Sequence, residues 1–214
     1  RIHPDPNQIQ KAADKIKNSK QPIIIAGGGV LYSEAEEEIS NFAKKHNIPV
    51  TATVMGIGCM SKENPYYISA IGCLGEGSSN NLSKDTDLAL AIGTKLSDFT
   101  TGSWTNFQNE KFQLVSVNTS RFDTTKHRAI PVVSDAKIGL KELSKFLGNW
   151  KAPDNWYQRS LEEKNKWDEY VEKESGPTNQ ELPTYAHAVG AVYRNSDSSD
   201  IVVTAAGGLV GEVV

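Results

Sequence analysis

Pro22-Ile23-Ile24-Ile25-Ala26-Gly27-Gly28-Gly29 sets a short, wholly apolar run against three glycines. A run of this length, rich in β-branched residues and ended by glycine, reads as a buried strand and a tight turn. Continuous burial on both sides is the mark of a parallel sheet covered on two faces. The glycines matter for a second reason. A strand, a glycine turn and a helix start place free N–H groups where a phosphate can sit. The dinucleotide fingerprint G-x-G-x-x-G is not completed, because Val30, Leu31 and Tyr32 follow Gly29. The acidic residue that should follow the next strand is also missing, since that strand ends Thr51-Ala52-Thr53. A turn needed for packing alone and a nucleotide contact both remain open at Gly27, Gly28 and Gly29.

Outward from this stretch, helix and strand alternate. Before it, Pro6–Lys17 carries Ile9, Ala12, Ala13 and Ile16 on one helical face. After it, Ser33 stands before Glu34-Ala35-Glu36-Glu37, which predicts an N-cap and an acidic first turn for a helix ending near His46. Further strands are predicted over Ile48–Thr53, Ile68–Ile71, Asp87–Ile92, Phe112–Val117 and Ile130–Val133, with a short helix opening near Gly75–Ser83. Ser134-Asp135 caps a helix that reaches Leu147. The fold class is therefore α/β, a doubly wound, six-stranded parallel sheet.

Composition changes near Gly148. Residues 149–177 set Trp156, Tyr157, Trp167, Tyr170 and Val171 among Glu and Lys, as a connector helix with an aromatic edge. Residues 178–214 open a new unit: a helix over Pro183–Tyr193, a Ser/Asp loop, and a strand at Ile201–Val203 with no later strand to pair with. The expected organisation is a domain over 1–148, a linker over 149–177 and the start of a second domain over 178–214. The chain opens Arg-Ile-His-Pro and stops within an apparent strand, glycine turn and helix start, so it is read as a piece of a longer protein. The tail should either fray or dock on another copy, with Trp156 and Trp167 as anchors.

The 214 residues carry 23 basic and 26 acidic side chains, a net charge of −3. There is no basic excess to bind a nucleic-acid backbone. No apolar run approaches the ~18 residues of a membrane span. Cys59 and Cys73 make no disulfide framework and read as buried thiols, which points to a reducing, cytoplasmic setting. His3, His46, His127 and His187 have no partner at metal-ligand spacing, and His46 fits a helix C-terminus. Glu34–Glu38 and Glu162-Glu163 read as solvated faces. No nucleophile elbow or P-loop occurs, so no catalytic residue and no metal site are assigned. In an open parallel sheet, ligands bind beyond the carboxyl ends of the strands. Gly27, Gly28, Gly29, Gly93, Thr94, Asn118 and Asp135 fall at those ends as candidate linings of a nucleotide-shaped crevice. Turn and cap preferences explain the same residues equally well.

The order of segments resembles the central, Rossmann-like domain of thiamine-diphosphate-dependent decarboxylases and synthases. The matching pieces are Gln21–Val30, Phe42–Val50, Gly56-Ile-Gly58, Ile71-Gly72 and Asp87–Thr94, within a span from Pro4 to Leu147. Ile92–Trp104, Asn118–His127 and Val133–Lys137 are similar to one branch, the trihydroxycyclohexane-dione hydrolases of myo-inositol catabolism. The resemblance implies an oligomeric parent enzyme with thiamine diphosphate and Mg2+ as cofactors and a cyclic diketone as substrate. The cofactor would supply the carbanion that attacks a carbonyl, and water would open the ring. The activating glutamate would precede Arg1 and the magnesium motif would follow Val214. Ala206, Gly207 and Gly208 correspond to a stretch that approaches the cofactor diphosphate in relatives. On this reading the chain alone is inactive and holds no cofactor; the alternative is a non-catalytic nucleotide-binding or scaffold domain of an acetolactate synthase-like enzyme. In flavin-binding synthases the segment after the fourth strand reads Arg-Phe-Asp-Asp-Arg. Here it is Lys95-Leu96-Ser97-Asp98-Phe99, and lysine cannot copy the guanidinium fork. FAD is therefore not expected.

Overall fold

The computed structural model describes residues 1–197, 199–204 and 207. Its elements run α1 (Pro6–Asn18), β1 (Pro22–Ala26), α2 (Gly28–Tyr32), α3 (Glu36–His46), β2 (Val50–Ala52), β3 (Tyr67–Ala70) and α4 (Gly77–Asp85). Then follow β4 (Leu88–Ile92), α5 (Asp98–Thr101), β5 (Gln113–Asn118), α6 (Arg121–Thr124), β6 (Ile130–Val133) and α7 (Ala136–Leu147). Two more helices follow, α8 (Asp154–Glu174) and α9 (Tyr185–Arg194). The chain forms two compact units, Arg1–Lys164 and Asn165–Val214. The first contains the expected sheet: six strands, all parallel, in the order β3-β2-β1-β4-β5-β6.

Strand periodicity divides the core. Ile24 and Ala26 point to one face with Leu88, Leu90, Ile92, Val115 and Val117, where α1, α3 and α7 cover them. Ile23 and Ile25 point to the other with Ala89, Ala91 and Leu114, against Leu82 of α4 and Trp156 of α8. All five residues of β1 and of β4 are buried, as their unbroken apolar runs require.

Several local expectations change. Ser33 does not cap α3. It ends α2, and its hydroxyl donates to Asp135 at 2.9 Å. Glu34 then takes a left-handed φ of 52° and α3 begins after Ala35. Glu38 is not a solvated residue of this acidic turn: it pairs with Lys137 and Lys141 of α7 at 3.3 and 3.1 Å. Glu163 is likewise buried, paired with Arg159 at 3.0 Å, because it lies on the same side of α8 as Trp156 and Ser160. Cys59 is buried as expected, but Cys73 is exposed in the loop after β3. Trp156 cannot anchor a neighbour, since it is 3% exposed within its own unit.

In the second unit, Gly190 of α9 lies against Ser175, where a Cβ would come 2.1 Å from the Ser175 carbonyl oxygen. Thr184 and His187 form a reciprocal cap at the start of α9. Residues 201–203 belong to no strand, and Ile201 and Val203 are almost fully exposed. A strand needs a hydrogen-bonded neighbour, and none is present among the described residues. No helix among the described residues is long and apolar enough to cross a membrane.

Candidate functional site

The strand order reverses between β1 and β4, so the crevice of a doubly wound sheet should open beyond Ala26 and Ile92. The structure places backbone there. The Gly27 N–H donates to the Ile92 carbonyl at 2.8 Å, and the Gly29 N–H donates to the Gly93 carbonyl at 3.0 Å. A Cβ on Gly27 would sit 2.4 Å from the Gly93 oxygen, and one on Gly29 would sit 2.6 Å from the Gly93 Cα. Gly93 itself has a left-handed φ of 62°. The glycines thus let two strand-end turns touch main chain to main chain. Gly28 faces the loop after β2, with its Cβ position 3.1 Å from the Met55 carbonyl oxygen.

The polar candidates are also engaged with the protein. The Asn118 side-chain amide donates to the Thr94 carbonyl at 3.2 Å, and its oxygen accepts from Ser120 N–H at 3.0 Å. That pair of bonds ties the turns after β4 and β5 together. The Thr94 hydroxyl accepts from Leu96 N–H at 3.2 Å. Asp135 accepts from Arg1 at 2.9 and 3.0 Å, from the Ser33 hydroxyl and from Ile138 N–H. Burial alone would raise the Asp135 pKa, but Arg1, Ser33 and the helix-cap N–H outweigh it and hold the carboxyl below its ordinary value. Its contribution to stability is therefore present above the usual carboxylate pKa of ~3.9 and disappears as pH falls through the lower folded value. Asp135→Asn should lose about 1–3 kcal/mol near neutral pH, and urea titration near pH 2 should show wild type and variant converging.

The candidates therefore fall into two groups. Gly27, Gly29 and Gly93 come together, with Thr94 and Asn118 beside them through the β4 turn. Asp135 belongs to a different cluster, with Arg1 and Ser33. Of the tail candidates, Gly207 is exposed with φ 137°, whereas Ala206 and Gly208 lie outside the described residues. Lys95 and Phe99, which replace the two arginines of flavin-binding relatives, are both exposed. Among the described residues, no group of three or more His, Cys, Asp or Glu side chains converges to hold a metal ion.

Sequence reasoning missed a hub in the loops beyond β3 and β4. The Asn80 side-chain oxygen accepts from Gly72 N–H and from the Asn106 amide, both at 3.0 Å, and its own amide donates to the Gly72 carbonyl at 3.0 Å. Gly72, with φ 114°, fits against Phe99, where a Cβ would lie 2.1 Å from the carbonyl oxygen. An asparagine inside a helical segment gave no sign of this, because its partners lie in loops. Asn80→Ala leaves these partly buried loop contacts unmade. It should lower the denaturation midpoint by the equivalent of about 2 kcal/mol, measured by urea unfolding.

Comparison with known proteins matches the geometry. Residues 9–143 match the model of the thiamine pyrophosphate enzyme central domain. A protein of Clostridium perfringens named 3D-(3,5/4)-trihydroxycyclohexane-1,2-dione hydrolase is 32% identical over 96% of this chain and 36% of its own length. One of the same name from Clostridium tetani is 36% identical over 83% of this chain and 29% of its own. Another, from Bacillus anthracis, is 30% identical over 98% of this chain and 36% of its own. The chain spans about a third of the length of these relatives. With the all-parallel sheet and a family match running from α1 to α7, this chain belongs to the thiamine pyrophosphate enzyme central-domain family.

Proposed function

We propose that this chain works as the central scaffold of a longer, oligomeric thiamine-diphosphate enzyme that hydrolyses a carbon–carbon bond of trihydroxycyclohexane-1,2-dione, opening its ring in inositol breakdown. The observation that carries the reading is near-complete coverage of the chain by hydrolases of that name. A scaffold role for this segment is supported by how its strand-end groups are used. Gly27 and Gly29 pack on the β4 turn, Asn118 braces that turn, and Asp135 holds Arg1 and caps α7. In the proposed enzyme, thiamine diphosphate and Mg2+ are held by parts of the polypeptide other than residues 1–204. The enzyme works in the cytoplasm, and flavin takes no part.

A chimera tests the proposal. The matching segment of the Clostridium perfringens hydrolase is replaced by this chain, and hydrolysis of the dione is assayed with thiamine diphosphate and Mg2+. Activity within about tenfold of the parent is expected, about 1.4 kcal/mol in transition-state terms. A folded chimera that binds the cofactor yet leaves the dione intact overturns the substrate assignment. The chain by itself should show no turnover. Magnesium-dependent, micromolar binding of thiamine diphosphate to it in calorimetry would contradict the scaffold reading.

A further inference from the structure

His46 ends α3, is fully buried, and joins three segments. Its Nδ1 lies 2.8 Å from the Trp150 carbonyl oxygen, and its Nε2 lies 3.0 Å from the Ser144 hydroxyl on α7. The partners fix the tautomer. A carbonyl can only accept, so Nδ1 carries the hydrogen and Nε2 is the lone-pair nitrogen. The Ser144 hydroxyl also receives a hydrogen bond from Lys45 Nζ at 2.9 Å. An ammonium can only donate, so the hydroxyl accepts from Lys45 and passes its single hydrogen to Nε2. Donation runs from Lys45 to Ser144 to His46 and ends on the Trp150 carbonyl, which only accepts.

The same corner holds the segment that follows α7. The Ala152 N–H donates to the His46 carbonyl at 2.8 Å. The Asn47 amide donates to the Ala152 carbonyl at 3.2 Å and to Asp154 at 2.9 Å. His46 and Asn47 thus supply hydrogen bonds to residues 149–153, while Ala152 and Trp150 also pack on the core.

We propose that the Lys45–Ser144–His46–Trp150 relay is an acid-sensitive latch, holding residues 149–153 more firmly on the sheet domain while His46 is neutral. A proton on Nε2 reverses the Ser144 bond and aims two cationic donors at one hydroxyl oxygen. The charges nearby give little relief. Lys45 lies on the same helix and Lys151 on the latched segment, and both oppose protonation. On α7, Lys145 is paired with Glu142, and Lys141 with Glu38 of α3. Asp154, the carboxylate at the start of α8, is held by Asn47. Among the described residues, no carboxylate hydrogen-bonds the ring. Burial pushes the His46 pKa down; the Trp150 hydrogen bond pushes back, and Lys45 and Lys151 add to the lowering. The released segment takes up the proton more readily than the latched one. The latch is therefore closed above the ordinary histidine pKa of ~6.5 and opens as pH falls through the lower latched value.

Nitrogen-detected NMR of the whole chain reads the tautomer, and exchange of the Ala152 amide reads the latch, with the Leu90 amide of β4 as an internal reference. At about pH 7.5 His46 should be the Nδ1–H tautomer with Ala152 protected; by about pH 5 the protection should fall about tenfold relative to Leu90. Lys45→Met removes the opposing charge and should move the midpoint up by about half a pH unit. His46→Gln should make Ala152 protection independent of pH. If that variant does not fold, the wild-type series and Lys45→Met still decide. An Nε2–H tautomer, a ring that stays neutral throughout, or Ala152 protection unchanged while His46 titrates would each overturn the proposal.

Discussion

Gly93→Ala should be among the most damaging single substitutions in the sheet domain, lowering stability by roughly 2–5 kcal/mol. Two independent effects add. Gly93 has φ 62°, where an L side chain costs about 1–2 kcal/mol. Its Cβ would also fall 2.6 Å from the Gly29 Cα, and forcing extra volume into a packed contact costs about 1–3 kcal/mol. Neither turn can retreat easily, because Gly29 N–H is bonded to the Gly93 carbonyl and Gly93 N–H to the Val117 carbonyl at 2.8 Å. Gly29→Ala, whose residue has no positive φ, should suffer the packing cost alone. The double variant tests the shared contact: once either Cβ has pushed the turns apart, the second costs less, so the two effects should fall short of additive. Urea unfolding of the four proteins reads all of this. A loss below about 1 kcal/mol for Gly93→Ala would show that the turns are not held together.

That contact also shows where sequence reasoning reaches its end. The apolar runs of β1 and β4 are legible because each lies buried on both faces and needs no partner to be recognised. The glycines after β1 are legible as a turn. What they pack against is not, since the β4 turn arrives from more than sixty positions away and only the strand order makes them neighbours. The Asp135 cap could be read locally, because an N-cap bonds to N–H groups within its own next turn. Ser33 could not. It has the form of a cap for the acidic helix after it, yet its hydroxyl is claimed by Asp135, 102 residues away. His46 and Glu38 follow the same rule. The helix explains a histidine at its C-terminus and a glutamate in its first turn, but their partners on α7 and beyond set what they do. At the candidate site, the sequence placed Gly27, Gly29, Gly93, Thr94 and Asn118 at the strand ends flanking the β1–β4 switch. It could not show that Asn118 and Asp135 would be bonded to the protein itself, because that depends on loops meeting in space.

Trp156→Ala should rival the Gly93 substitution, at about 3–5 kcal/mol, the range for removing a buried aromatic. Trp156 is the one large side chain of α8 that enters the core, where it joins Ile23, Ile25 and Leu82. Its indole N–H donates to the Pro22 carbonyl at 2.8 Å, at the very start of β1. The two contributions can be separated. Trp156→Phe keeps most of the apolar contact and loses the hydrogen bond, so about 1 kcal/mol should go with the bond and a similar amount with the smaller ring. The Tyr66–Tyr157 stack, at 4.7 Å between centroids, remains in both variants and should keep the helix start near the sheet. If the first turns of α8 belong to the cooperative unit of the sheet, Trp156→Ala must lower the midpoint of the whole domain, with the β4 amides losing protection in step. If only the amides of 154–164 lose protection while β4 is unchanged, the start of α8 is a separately melting element. The Pro22 bond then secures the helix without supporting the sheet.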